Sequence, residues 1–238
     1  MLGRLVDVRA EERRPLLWAS AYFFATLTGY YLLRPLRDEM GIRGGVQNLK
    51  WMFTATFVTM LLVVPAWSFV VARFARRRLV PIAYRFTAAT LLAFWVADRL
   101  GVSPAAVARV FFVWVSVLAL FIVAVLWSFL TDVFRRDQAK RLFGFIFVGG
   151  SAGAIAGPWL ASVLASSLGT ASLLVASAIL LEMGTQCVLA LTRWAESSRA
   201  GDFGRAAAEP VGGGILEGFR LALRSPYLLP DTYRDGSL

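Results

Sequence analysis

The chain contains 238 residues, of which 58% are hydrophobic and only 17% are charged. With a mean hydropathy of +0.64, this composition excludes an ordinary soluble globular domain and indicates a protein whose solvent is the lipid bilayer. The net charge is +10, and there is no histidine and only one cysteine, Cys187. These counts exclude a histidine triad, a histidine metal site and an internal disulfide, so neither an enzyme nor a cofactor or metal is expected.

Six apolar runs are long enough to cross a hydrocarbon core of about 30 Å as helices. The predicted fold is therefore an all-α membrane protein with six transmembrane helices in residues 16–192. Residues 1–15 precede them as a mixed-charge segment that lacks the features of a cleavable signal peptide. The spans are predicted at Leu16–Leu33, Trp51–Val71, Leu79–Ala97, Ala105–Thr131, Leu142–Leu168 and Thr170–Leu191.

Lysine and arginine are distributed unequally between the two sides of this arrangement. Nineteen of the 25 lie before the first span, in the second and fourth loops or after the sixth span, and six lie on the other side. The positive-inside rule therefore predicts that both termini are cytoplasmic. Because the arginines flank apolar spans, they are assigned to loops, and no nucleic-acid partner is expected.

Charge at the end of the first span is the strongest functional signal. Arg34 and Arg37 are three residues apart, so on a helix they share a face and form a fork suited to phosphate or carboxylate groups. Asp38 and Glu39 are placed to neutralise the pair when the site is empty, and Pro35 is expected to break the helix there. The alternative is a cluster that snorkels to the membrane interface.

Basic loops and a glycine pattern follow along the chain. The short loop around Arg73 and Arg77 resembles, in degenerate form, the basic turn between the second and third helices of major facilitator transporters. A plain topological anchor explains it equally well. In the fifth span, Gly149, Gly153 and Gly157 recur at four-residue spacing, which predicts close helix packing or a contact that moves during alternating access.

Glu182 is the acidic residue predicted to lie deepest in the membrane, near the middle of the sixth span. An acid at this depth is expected to pair with a cation or a polar neighbour. Three interpretations are open: an ion pair with Arg34 or Arg37 that substrate disrupts, a proton-coupling site, and a structural hydrogen bond. Arg85, Arg99 and Arg109 are interpreted as snorkelling or anchoring residues.

In two stretches, the chain resembles the first half of the ATP/ADP translocase family, nucleotide transporters related to the major facilitator fold. One stretch is Tyr30-Tyr31-Leu32-Leu33-Arg34-Pro35-Leu36-Arg37-Asp38. The other begins at Trp127 and includes Asp137-Gln138-Ala139-Lys140-Arg141-Leu142-Phe143. The resemblance implies half of a facilitator-type bundle in a bacterial inner membrane and a role in nucleotide exchange for the residue at position 37. It assigns Asp137, Lys140 and Arg141, with the second-loop arginines, to the cytoplasmic gating loops.

The fourth span lacks the acidic residue that nucleotide exchangers of that family carry. The expected substrate is therefore a nucleotide or another phosphorylated anion. A complete member would have about twelve spans, so this chain is expected to be a truncated or frame-shifted product. It would then need a separate second half or a second copy of itself to enclose a cavity.

Residues 193–238 are predicted to form a cytoplasmic tail. Its glycine- and alanine-rich linker leads into an interfacial amphipathic helix whose apolar face is formed by Ile215, Leu216, Phe219 and Leu223. Two further functional hypotheses remain open. One is a proton-coupled transporter of another solute with Glu182 as the titrating group, and the other is a membrane scaffold or half-transporter that carries no flux.

Overall fold

The structure, a computed structural model, describes residues 12–73, 76–134 and 136–198. Within these residues the chain is helical, with no strand. A short 3-10 turn at Val46–Asn48 joins the first two helices. The six long helices are α1 Arg13–Arg43, α2 Leu49–Arg73, α3 Arg76–Arg99, α4 Pro104–Val133, α5 Arg136–Leu168 and α6 Ser172–Ser198.

All six helices are long and apolar enough to span a membrane. The prediction of an all-α, multi-pass membrane protein is thereby confirmed, and each predicted span falls on one helix. Each observed helix is longer than its predicted apolar run. α1 continues to Arg43 and α6 to Ser198, and α5 begins at Arg136. The predicted amphipathic tail helix lies outside the described residues.

The prediction that α1 breaks at Pro35 is wrong. The helix continues through this proline to Arg43. Proline removes only one backbone hydrogen bond, and the following turns are held by the buried side chains of Leu36 and Met40. Arg43 in the last turn also interacts favourably with the carboxyl end of the helix dipole. The charged residues 34–39 are therefore helical.

The three connections α1–α2, α3–α4 and α5–α6 share one end of the bundle, which we call the Gly44 end. The start of α1 and the ends of α2, α4 and α6 lie at the opposite end, the Glu12 end. Each connection at the Gly44 end contains a glycine with positive φ: Gly45 at 97°, Gly101 at 65° and Gly169 at 82°. This left-handed conformation suits glycine, which has no Cβ to clash with the backbone.

The neighbours of each helix follow a two-fold pattern. The six most extensive contacts are α1–α5, α1–α6, α3–α6, α1–α4, α2–α4 and α3–α4. Exchanging α1 with α4, α2 with α5 and α3 with α6 maps this set onto itself. Because two spans lie between each helix and its counterpart, counterparts run in opposite directions. The two halves of the bundle therefore have the arrangement of an inverted repeat.

The most extensive of these contacts depends on glycine. A Cβ added at Gly149 would lie 2.6 Å from the carbonyl oxygen of Ser20, and one added at Gly153 would lie 2.6 Å from that of Phe24. Gly157 packs on the next turn of α1 in the same way. The close packing predicted from the four-residue spacing is thus confirmed, with α1 as the partner.

Hydrogen bonds between buried groups join α1 to α3 and α6. The hydroxyl oxygens of Tyr22 and Tyr84 are 2.8 Å apart in the bundle interior. The Ser177 hydroxyl donates to the carbonyl oxygen of Gly29 over 2.8 Å. Side chains that hydrogen-bond across helices fix their relative position within an otherwise apolar core.

We predict that Gly153→Ala destabilises the protein by about 1–3 kcal/mol, because backbone atoms of α1 must move away from the new methyl group. Thermal unfolding in detergent, followed by circular dichroism, measures the effect. Gly144→Ala is the matched control, since a Cβ at Gly144 meets no atom within 4 Å. Both changes carry the same gain in helix propensity. Equal melting temperatures for the two variants would contradict the proposed packing constraint.

Candidate functional site

Arg34 and Arg37 lie on one side of α1, one turn apart, near the Gly44 end. Arg34 is exposed, and its guanidinium carbon lies 6.0 Å from the centroid of the Tyr31 ring. Arg37 reaches towards α4, where its guanidinium carbon lies 5.6 Å from the centroid of the Phe112 ring. Aromatic faces hold each guanidinium without consuming its N–H donors, which leaves these donors available for hydrogen bonds to anionic groups.

The two acidic residues beside this pair bond different arginines. Asp38 accepts hydrogen bonds from Nε and Nη2 of Arg37 at 3.0 and 2.7 Å. Glu39 instead pairs with Arg43 at 2.6 Å. Arg34 has no carboxylate partner among residues 12–73, 76–134 and 136–198. One guanidinium is therefore neutralised and the other is not, which leaves a local positive charge on this face of α1.

Glu182 forms its ion pair with Arg85 of α3. The distances are 3.1 Å from Nη2 to Oε1 and 3.3 Å from Nε to Oε2, a two-point contact of the fork type. The Gln186 side-chain amide donates to the same carboxylate at 2.6 Å. The structure thus supports neither an ion pair with Arg34 nor one with Arg37, and gives Arg85 a partner beyond its predicted anchoring role.

Glu182 does not pair with Arg34 or Arg37 because these residues lie at different heights along the bundle axis. Gly184, two residues after Glu182, packs against Thr26 of α1. Arg34 is eight residues further along α1, about 12 Å nearer the Gly44 end at 1.5 Å per residue. The acid is therefore separated from the α1 arginines along the helix axis, whereas Arg85 lies at its own level on the neighbouring helix.

The Arg85–Glu182 pair faces out of the six-helix bundle. The exposed fractions of the two side chains are 54% and 42%, although both residues lie within helices that span the membrane. A single charge in this position would be strongly unfavourable in lipid, and pairing cancels the net charge. The pair makes the middle of the α3–α6 surface polar but neutral.

A third group of polar side chains lies at the Glu12 end. Arg141 of α5 bonds Glu12 at 3.1 Å, and the Gln138 amide donates to the same oxygen at 3.1 Å. The Glu12 side chain is only 5% exposed, so this acid ties the start of α1 to the start of α5. Lys140 is exposed. The side chains of the other predicted gating residues lie outside the described part: Arg73, Arg77 and Asp137.

Sequence reasoning missed Glu12 and underestimated Arg85. The sequence places Glu12 only in the mixed-charge segment 1–15. An acid directly before a span is nevertheless a candidate partner for a basic residue in another loop. Arg85 lies nine residues beyond the start of the helix that begins at the basic loop, and only the neighbour relation of α3 and α6 reveals its partner. Among the described residues, no group of three potential metal ligands comes together.

We predict that Arg85 and Glu182 are energetically coupled. Arg85→Gln and Glu182→Gln should each lower the melting temperature in detergent or nanodiscs, because each leaves a charge unpaired within the span. The double variant should be more stable than either single variant. The control cycle uses Arg43→Gln and Glu39→Gln, an exposed pair at a helix end whose effects should add. Additive losses for Arg85 and Glu182 would show that the contact is energetically unimportant.

Comparisons of the chain with protein-family models, with curated proteins and with solved structures found no match. Family membership therefore rests on no independent relative. The charged groups and the way the helices present them are the features of this chain that bear on its function.

Proposed function

We propose that this chain is the membrane half of a transporter that moves a nucleotide or another phosphorylated anion by alternating access, in the manner of the ATP/ADP translocases. The observation that carries the proposal is Arg34, an uncompensated cation one turn from Arg37 on the same face of a membrane helix. Charge is unfavourable there unless it has a function, and paired guanidiniums recognise phosphate oxygens in a two-point geometry.

The arrangement of the helices supports a facilitator-type bundle. Inverted repeats of three helices are the building units of the six-helix halves of such transporters. The neighbour relations among α1–α6 fit this repeat. In such a half, substrate binds where the repeats meet a second half, and motion is the rocking of one half against the other.

The chemistry around Arg34 and Arg37 fits a nucleotide in particular. Tyr30 and Tyr31 are in edge-to-face contact, with ring centroids 5.2 Å apart, directly before the arginines. Aromatic rings beside cations offer a stacking surface for a base and counter-charge for its phosphates. Asp38, hydrogen-bonded to Arg37, would be displaced from this guanidinium as the phosphates bind.

A second six-helix half completes the proposal. It is either a separate chain or a second copy of this one, and it covers the face that carries Arg34. We place the protein in a bacterial inner membrane with both termini cytoplasmic, so that the Glu12 end faces the cytoplasm. There Arg141, bonded to Glu12, belongs with Arg73, Arg77, Asp137 and Lys140 to the loops that open and close the cytoplasmic side.

The first functional prediction concerns Arg37. In liposomes containing the full chain, Arg37→Gln should reduce the counterflow of labelled ADP against unlabelled ATP by more than about tenfold, because a charged hydrogen bond to phosphate is lost. Arg43→Gln is the control, since Arg43 lies on the opposite face of α1 and pairs with Glu39. Exchange that survives Arg37→Gln, or falls equally with Arg43→Gln, would contradict the site.

The alternative function is proton-coupled transport of another solute, and the Arg85–Glu182 contact is the observation that favours it. A carboxylate held between a guanidinium and an amide within the span can exchange its partner for a proton. In this case an imposed pH gradient should drive uptake, and Glu182→Gln should remove this dependence while leaving counterflow intact. Uptake that ignores the gradient favours exchange.

A further inference from the structure

α2 packs less closely into the bundle than any other helix. Its apolar window is the least buried of the six spans, and α2 and α3, although consecutive, are not among the extensively packed pairs. Its counterpart α5 approaches α1 through glycines, whereas Leu49–Arg73 contains no glycine. Side chains therefore hold α2 away from α4, and open space remains beside α2, against α4 at the Gly44 end and against both α4 and α3 towards the Glu12 end.

This open space forms one long groove. Two adjoining cavities, of about 530 and 520 Å³, share the lining residues Thr59, Trp114 and Val117. Along α4 the lining runs from Arg109 to Val125, sixteen residues, which is about 24 Å of helix. This length exceeds the ~15 Å depth of one leaflet in a hydrocarbon core of about 30 Å. A lipid chain entering from one surface therefore fits lengthwise.

The two ends of the groove differ in chemistry. Towards the Glu12 end it is lined by apolar side chains such as Val70 and Val125. At the Gly44 end it is bordered by Asn48 and Arg109, with the exposed ring of Trp51 beside them. The groove is thus an apolar channel with a polar, cationic mouth at the level where membrane proteins place tryptophan.

The guanidinium of Arg109 has N–H groups that can bind an anion. Its Nε donates to the carbonyl oxygen of Gly44 at 2.9 Å, which fixes the orientation of the guanidinium. Within the described ranges no carboxylate pairs with it, because the acids nearest in sequence to Gly44 already bond Arg37 and Arg43. Lys50 adds a second cation, with Nζ 5.6 Å from the centroid of the Trp51 ring.

We propose that this groove is a binding site for an anionic glycerophospholipid. One acyl chain lies along α4, beside α2 throughout and beside α3 only towards the Glu12 end, and the phosphate is bound by the terminal amino groups of Arg109 with Lys50 nearby. Charge complementarity selects an anionic headgroup, since a zwitterionic lipid would bring an ammonium group towards two cations. The bound chain supplies the packing that α2 lacks. The site is separate from Arg34 and Arg37 and does not depend on the proposed transport.

The experiment titrates the purified full chain with phosphatidylglycerol and with phosphatidylcholine of identical acyl chains, counting bound lipids by native mass spectrometry. The wild type should bind phosphatidylglycerol preferentially. Arg109→Gln should reduce this preference about tenfold, and Arg109→Lys should retain part of it. Arg99→Gln is the control, because Arg99 lies at the same end but stacks on Trp95, outside the groove.

A second variant tests the groove itself. Thr59→Trp places a large ring where the two cavities meet and should reduce binding of both lipids, while circular dichroism and gel filtration report on folding. Equal binding of the two lipids by the wild type, or an unchanged preference in Arg109→Gln, overturns the proposal. So does a folded Thr59→Trp variant that binds as much lipid as the wild type. Loss of a dimer in Thr59→Trp with unchanged lipid binding overturns it in favour of a second copy in the groove.

Discussion

The close approach of α1 and α5 is the contact on which the rest of the bundle depends. Without side chains at Gly149 and Gly153, the backbone of α5 reaches the carbonyl oxygens of Ser20 and Phe24. In lipid, such contact supplies the dispersion energy that hydrophobic burial supplies in water. With α5 fixed, α1 also packs on α6 and α4 and becomes the central helix. The orientation of the face that carries Arg34 follows from this packing.

The repeat is symmetric in which helices meet but not in how closely they pack. α2 occupies the place related to that of α5, yet it contains no glycine and meets α4 through bulky side chains, including Trp67 in edge contact with Phe121 at 4.9 Å between centroids. The contact of α5 with α1 is consequently tight. The contact of α2 with α4 is looser and leaves room for lipid. Conformational change that requires a helix to shift therefore meets less resistance at α2 than at α5.

The sequence predicted the number and order of spans well, because about twenty consecutive apolar residues have few alternatives to a membrane helix. The sequence also predicted the glycine packing of α5, because the four-residue spacing that places the glycines on one face lies within a single span. The prediction of a helix break at Pro35 was wrong, because the buried side chains of Leu36 and Met40 stabilise the following turns more than one missing hydrogen bond destabilises them. Of the three open interpretations of Glu182, the ion pair with Arg34 or Arg37 is not observed, because pairing depends on which helices are neighbours and at what height. Neither can be read from spacing within one span.

The α1–α5 contact also has a consequence for synthesis. Ser20 and Gly149 are 129 residues apart, so at about 5–20 residues per second a ribosome needs roughly 6–26 s to deliver the glycine turn after the serine turn. During this interval Thr28 lacks its contact with the Gly153 carbonyl and keeps its bond to Phe24 of its own helix, whereas Tyr22 can meet Tyr84 once α3 has been made. The polar partners of α1 therefore become available in chain order, first on α3, then on α5 and last at Ser177 on α6.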